Sequence, residues 1–268
     1  MNKVIGFIGS GNMATAMIGG IIKANVVPSN QVICSDPSKA KLEDLHNRYQ
    51  VVTTIDNCEV AAKADILVLS VKPQSYPAVI EQIKTQVNDN TIIVVIAAGQ
   101  KIETIKKLFG RDIKVVRSMP NTPALVGEGM AALSPCPMVL PEELDLICNI
   151  FNSFGKCEVI TENLMDTVTA VSGSSPAFIF MIIEAMADGA VLEGMPRDKA
   201  YTFAAQAVLG SAKMVLETGK HPAQLKDMVC SPGGTTIEGV SVLEESGLRA
   251  SLIKAIQATA KKSKDMSK

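Results

Sequence analysis

The sequence predicts an α/β protein in two parts: a doubly wound parallel sheet, followed by an all-helical second half. Three observations carry this. Short apolar, β-rich segments alternate with helical patterns through residues 1–161. That alternation stops after about Glu162, and only helical patterns follow. The opening strand runs directly into a glycine turn, Gly9-Ser10-Gly11-Asn12-Met13-Ala14, at the point where a helix begins.

In chain order, Val4–Ile8 reads as a strand and Met13–Lys23 as a helix. Gln31–Ser35 is a second strand, followed by a charged helix around Lys39–Arg48 and the short β-rich piece Gln50–Thr53. Ile66–Val71, Ile92–Ala97 and Ile113–Arg117 are further strands, with helical patterns near Ala61, over Val79–Val87 and over Ile102–Leu108. Repeated strand–helix–strand units of this length imply a parallel sheet with helices on both faces, and right-handed crossovers make it doubly wound.

In the second half, Leu164–Val171, Pro176–Glu193, Arg197–Glu217, Thr236–Glu244 and Leu248–Lys261 have helical character. Glycine, serine and proline punctuate them at Ser172-Gly173, Gly194–Pro196, Gly219–Pro222, Ser231–Gly234 and Gly247. The expected domains are therefore 1–161 and 162–268. Stretches such as Ala185–Val191 are small and apolar nearly all round. Such a helix has to be buried, and a domain this small has little interior for several of them. The expectation is a helical dimerisation domain.

Composition narrows the function classes. Lys and Arg number 26 against 27 Asp and Glu, a net charge of −1, so no basic footprint for nucleic acid exists. The six cysteines form no C-x-x-C pair, which points to reduced thiols and a cytoplasmic protein. Only two histidines occur, which argues against a histidine-based triad, and no metal site is expected. The apolar run Pro176–Ile183 ends at Glu184, too short to span a bilayer, and the N-terminus lacks a cleavage pattern. No membrane association is expected.

The glycine turn has a specific chemical use. Gly9 allows a tight turn, Gly11 allows close approach of a pyrophosphate, and the following helix N-terminus faces negative charge. This is the dinucleotide fingerprint of a Rossmann fold. At the end of the second strand, Asp36 is open to two readings: acceptor for a ribose 2′-hydroxyl, or cap of the next helix. Ser35 and Ser38 beside it are equally suited to a 2′-phosphate. Ser70-Val71-Lys72-Pro73 and Ala97-Ala98-Gly99 follow later strands and line the mouth of the same crevice. Arg117-Ser118-Met119-Pro120-Asn121-Thr122-Pro123 either lines the site or links two strands. Ser231-Pro232-Gly233-Gly234-Thr235-Thr236 places backbone N–H groups and hydroxyls at a helix start, a site for a small carboxylate.

Taken with Ser172-Gly173-Ser174-Ser175-Pro176-Ala177-Phe178, these motifs resemble those of the pyrroline-5-carboxylate reductases over essentially the whole chain. The resemblance implies reduction of 1-pyrroline-5-carboxylate to L-proline by NADPH or NADH. It implies a Rossmann domain with a helical domain like the C-terminal one of 6-phosphogluconate dehydrogenase, intertwined in a homodimer and often gathered into a decamer of five dimers. By position, cofactor contacts fall on Ile8, Gly9, Ser10, Gly11, Asn12, Met13, Ser35, Asp36, Asn57, Ser70, Val71, Lys72, Pro73, Ile96, Ala97 and Ala98. Substrate contacts fall on Glu162, Gly233, Gly234, Thr235 and Thr236, with the Thr236 hydroxyl as the catalytic partner of the ring nitrogen. Ser175 and Phe178 stand where the family usually has glycine and tyrosine. A β-hydroxyacid-type dehydrogenase is the alternative enzyme, but it usually carries a catalytic lysine in its helical domain, and here the central helices hold only Lys213, read as exposed. A non-catalytic dinucleotide sensor would not need the Ser231–Thr236 stretch.

Overall fold

The computed structural model describes residues 3–266. Its sheet runs β3-β2-β1-β4-β5-β6-β7-β8. Six strands are parallel: β1 (Ile5–Ile8), β2 (Val32–Ser35), β3 (Val52–Thr54), β4 (Ile66–Leu69), β5 (Ile92–Val95) and β6 (Lys114–Met119). β7 (Gly129–Pro135) turns back antiparallel to β6, and β8 (Gly155–Val159) runs parallel to β7. The parallel expectation holds for the first six strands. The last two come from a stretch whose glycine, alanine and proline content gives no β-rich signal.

The strands bury both faces by simple alternation. Ile5 and Phe7, Ile66 and Val68, and Ile92 and Val94 point into one core, with Ile18 and Ile21 of α1 (Asn12–Lys23) and Phe151 of α6 (Pro141–Asn152). Ile8, Leu67, Leu69, Ile93 and Val95 point into the other. There they meet Val60 of α3 (Asn57–Lys63), Ile80 and Ile83 of α4 (Tyr76–Ile83), and Ile105 of α5 (Ile102–Phe109). The remaining helix of this part, α2 (Lys39–Tyr49), buries only Leu42 and Leu45. Apolar runs bounded by helices on both sides are what a parallel sheet requires.

The chain divides into two compact units. One runs to Ser174 and takes in the C-terminal residues from Thr259; the other is Ser175–Ala258. α7 (Met165–Val168) leads through a π-helical stretch, Thr169–Ser174, into α8 (Ser175–Leu192). The second unit continues with α9 (Arg197–Thr218), α10 (Pro222–Val229), α11 (Thr235–Glu245) and the first part of α12 (Leu248–Met266). α8 and α9 pack through Ala187, Ala200 and Ala204. Little else is buried there: Phe180, Phe203, Leu209 and Leu216 are exposed, and Leu192 is 87% exposed. The helical run Glu162–Leu192 is long and apolar enough to cross a membrane by length and composition, because the helix continues past Glu184. The cysteines are all free, with Cys34 and Cys136 buried.

Candidate functional site

Strand register places the candidate residues. Ile8 pairs with Ser35 and Leu69, Leu69 with Val95, Val95 with Arg117, and Ser35 with Thr54. The parallel strands therefore end level, and the loops after positions 8, 35, 54, 69, 95 and 119 leave the same edge. Strand order reverses between β1 and β4. That switch point opens the crevice where doubly wound sheets bind ligands. The Gly9–Met13, Asp36, Asn57, Ser70–Pro73 and Ile96–Ala98 groups are all brought to it.

The two turn glycines have different reasons to be glycine. Gly9 has φ +101°, and a Cβ there would lie 2.7 Å from the carbonyl oxygen of Ser70. No other residue fits. Gly11 has φ −69°, which any residue adopts, and a Cβ there would meet nothing within 4 Å. Neither backbone conformation nor internal packing demands glycine at 11, and the open space at the start of α1 is where a pyrophosphate would lie. Gly11 caps α1 with no side-chain bond, and the first intrahelical bond is Thr15 N–H to Gly11 C=O, 2.9 Å. The N–H groups of Asn12, Met13 and Ala14 thus have no intrahelical acceptor and present the positive end of the helix dipole.

The surrounding loops are locked to one another. Ser70 Oγ lies 2.7 Å from the Gly9 carbonyl and donates to it, joining the β4 loop to the glycine turn. Tyr76, fully buried, donates to the Leu69 carbonyl at 2.6 Å and anchors that loop from below. Burial pushes its phenol well above its ordinary pKa. Lys72 is exposed on the same loop and enters none of the ion pairs among the described residues. Ser35 is fully buried and donates to Asn57 Oδ1 at 2.7 Å, while Asn57 Nδ2 donates to Gln82 Oε1 at 2.9 Å. The Asp36 carboxylate accepts the Ser10 and Ser38 backbone N–H groups, each at 2.9 Å.

The end of β6 builds a second cluster. Arg117 is buried and pairs with Glu162 Oε1 at 3.2 Å. The same oxygen accepts the Ile102 N–H at 2.9 Å, at the start of α5. Asn121 bridges the loop after β6 and the π-helical stretch: its Nδ2 donates to the Ser172 carbonyl at 3.1 Å, and its Oδ1 accepts the Met130 N–H at 2.8 Å. A Cβ on Gly173 would lie 2.5 Å from Met119 Cε. The loop after β6 is thus interlocked with Ser172 and Gly173, and it both links β6 to β7 and supports the π-helical stretch. Tyr76, Arg117 and Asn121 are absent from the contacts read from sequence. Asn121 and Arg117 lie inside a motif that the sequence does single out, whereas Tyr76 carries no local signal.

The threonine stretch lies in the second unit. Gly233 has φ +65°, a left-handed turn that favours glycine, whereas Gly234 has φ −83° and packs against the Ser231 hydroxyl, 2.3 Å from where a Cβ would lie. α11 begins at Thr235, and its first intrahelical bond is Glu238 N–H to Gly234 C=O. The N–H groups of Thr235, Thr236 and Ile237 have no intrahelical acceptor, and Thr235 is exposed. Lys213 is exposed and paired with Glu217 along α9, with no sign of a catalytic environment.

Comparison with known proteins agrees with this fold. A family model described as pyrroline-5-carboxylate reductase dimerisation matches residues 162–266. A second, described as NADP oxidoreductase coenzyme F420-dependent, matches residues 4–99. The pyrroline-5-carboxylate reductase of Escherichia coli K12 is 51% identical over the full length of both chains. Among solved structures, a pyrroline-5-carboxylate reductase from Coxiella burnetii superposes with a TM-score of 0.94 at 35% identity, covering all of both chains. That of Plasmodium falciparum, solved with NADP bound, gives 0.90 at 32% identity, covering all of this chain and 99% of the other.

Proposed function

The chain belongs to the pyrroline-5-carboxylate reductase family, and from that premise we propose how its own residues carry the reaction. It is an NAD(P)-dependent oxidoreductase that reduces 1-pyrroline-5-carboxylate to L-proline, and it carries the family's dimerisation domain for a homodimer. The observation that carries the site assignment is the unoccluded Gly11 beside an uncapped α1 N-terminus at the strand switch point.

Ile8 to Met13 form the turn that cradles the dinucleotide pyrophosphate, with the free backbone N–H groups of Asn12 and Met13 directed at it, since those of Gly9 and Ser10 are taken by Ser35 and Asp36. Ser35, Asp36 and Asn57 shape the wall beside the adenosine ribose. Ser70 to Pro73 close over the crevice, with Lys72 supplying positive charge. Ile96, Ala97 and Ala98 offer small or flat surface against the nicotinamide. When bound, the reduced nicotinamide supplies the hydride that adds to the carbon of the cyclic C=N bond. The substrate carboxylate sits on the N–H groups around Gly233 to Thr236, at the positive end of α11. The Thr236 hydroxyl hydrogen-bonds the ring nitrogen and orients the imine. An imine that enters protonated leaves as the neutral ring amine after hydride addition, which takes a solvent proton, so no basic side chain is required. Glu162 joins the substrate side through Oε2, which neither of its bonds to Arg117 and Ile102 uses.

Further assembly into a decamer of five dimers, and a cytoplasmic location, belong to the same proposal. The free cysteines support the second. The test is nicotinamide oxidation by the purified chain with pyrroline-5-carboxylate, using NADPH and NADH in turn, with proline identified by mass spectrometry. Turnover with either cofactor, and proline as product, is expected. Oxidation only with hydroxyacids, or with neither, would contradict it.

A further inference from the structure

We infer that Asp36 is a positioning residue that clamps the glycine turn to the β2–α2 loop, and that it does not discriminate between the two nicotinamide cofactors. This rests on the dinucleotide reading of the glycine turn. An acid at the end of the second strand in such a fold ordinarily accepts the ribose 2′-hydroxyl, and would thereby repel a 2′-phosphate.

Here the carboxylate is turned inward. Oδ2 accepts the Ser10 N–H from the centre of the glycine turn, and Oδ1 accepts the Ser38 N–H at the entry to α2. The residue is only 8% exposed. One oxygen is committed to the glycine turn 26 residues away and the other to an amide two residues on in its own loop, and little carboxylate surface remains for a ligand. Burial alone would push this acid up in pKa, but the amide bonds and Lys41 outweigh it and hold the group below its ordinary value. The charged form is therefore what the loops bind.

The geometric consequence is specific. The Ser10 N–H is one of the amides that a glycine turn would otherwise direct towards the pyrophosphate. Asp36 withdraws it and, in doing so, sets the orientation of the next peptides, Gly11 and Asn12, whose surface faces the ligand. NAD and NADP share the pyrophosphate, so the clamp serves both cofactors equally.

The test compares Asp36→Asn with the wild-type chain, using both cofactors at saturating pyrroline-5-carboxylate. The amide keeps the shape but sets an N–H donor against one of the two backbone N–H groups. The expected result is a rise of about tenfold in KM for NADPH and NADH alike. Their ratio of kcat/KM should stay within about twofold, and kcat at saturating cofactor should be nearly unchanged. Thr91→Val serves as the control. It removes a buried hydroxyl bond to the Ala64 carbonyl at the opposite end of the strands, lowering Tm without moving either KM. A ratio that shifts tenfold or more towards NADPH would overturn the clamp in favour of direct ribose recognition. A lower Tm with both KM values unchanged would reduce Asp36 to a stability role and equally overturn it. Should Asp36→Asn not fold, Asp36→Ser is read by the same ratio. Failure of the dinucleotide reading itself is distinguishable, because the wild-type chain would then oxidise neither cofactor.

Discussion

The crevice edge of the first unit and the helices of the second are built on opposite plans. At the crevice, several buried or half-buried polar side chains are bonded to neighbouring segments: Asp36 to two amides, Ser35 to Asn57, Ser70 to Gly9 and Asn121 to two segments. In the second unit, three alanines form the buried cluster while Phe180, Phe203 and Leu216 stand in solvent. The first unit is complete by itself, with a core on both faces of its sheet. The second leaves its apolar surface for another copy of the chain to cover, in keeping with the dimerisation family it matches.

The sharpest way to break this contrast is to charge the exposed helices. Phe180→Asp with Phe203→Asp is expected to weaken dimerisation by more than about a hundredfold, since each buried aromatic contributes about 2–3 kcal/mol and a buried charge adds a penalty. Sedimentation should show monomers, and activity should fall with the dimer. A dimer of unchanged affinity would mean that these faces are not the interface.

Next in size is Thr236→Ala. Loss of a hydrogen bond to the ring nitrogen should lower kcat/KM for pyrroline-5-carboxylate about ten- to a hundredfold and leave the cofactor KM alone. Unchanged turnover and substrate KM would remove Thr236 from the site. A smaller effect is expected of Asn121→Asp, which keeps the acceptor for Met130 N–H but faces the Ser172 carbonyl with an oxygen. A loss of about 1–3 kcal/mol in stability follows, read as a lower Tm by calorimetry.

The smallest expected effect concerns pH. Burial raises the pKa of Glu143, but the Lys114 ammonium and the Leu140 N–H outweigh it and hold the acid below its ordinary range. A carboxylate with a depressed folded pKa contributes stability that is present above its unfolded pKa and lost as pH falls through the folded one. The Tm difference between wild type and Glu143→Gln should therefore be present at neutral pH and close below about pH 4. A difference that persists in acid would show that the ion pair is not its source.

Much of this was legible from the chain. β1, β2 and β4 to β6 are apolar runs with clear helical intervals, and the glycine turn sits where a strand meets a helix. β7, Gly-Met-Ala-Ala-Leu-Ser-Pro, and β8, with three glycine or charged positions exposed or half-exposed, have no β-branched run to announce them. α10 was hidden because it is short and sits between glycine- and proline-rich turns. The site residues could be named but not oriented. Nothing local reveals that the Ser35 hydroxyl meets Asn57 or that Asp36 reaches the Ser10 N–H, because those partners lie on other loops; only the Asp36 bond to Ser38 is local. The π-helical stretch at Thr169–Ser174 is likewise held by Asn121, some fifty residues away.

The central claim, that the glycine turn binds the cofactor, is tested most directly at Gly11. Gly9→Ala should fold poorly, because its φ is +101° and its Cβ would strike Ser70. Gly11→Ala has an ordinary φ and open space around its Cβ, so its Tm should equal or slightly exceed that of the wild type. Its Kd for NADPH, measured by nicotinamide fluorescence, should rise at least about tenfold because the methyl group occupies the pyrophosphate's approach. An unchanged Kd at unchanged Tm would contradict the account.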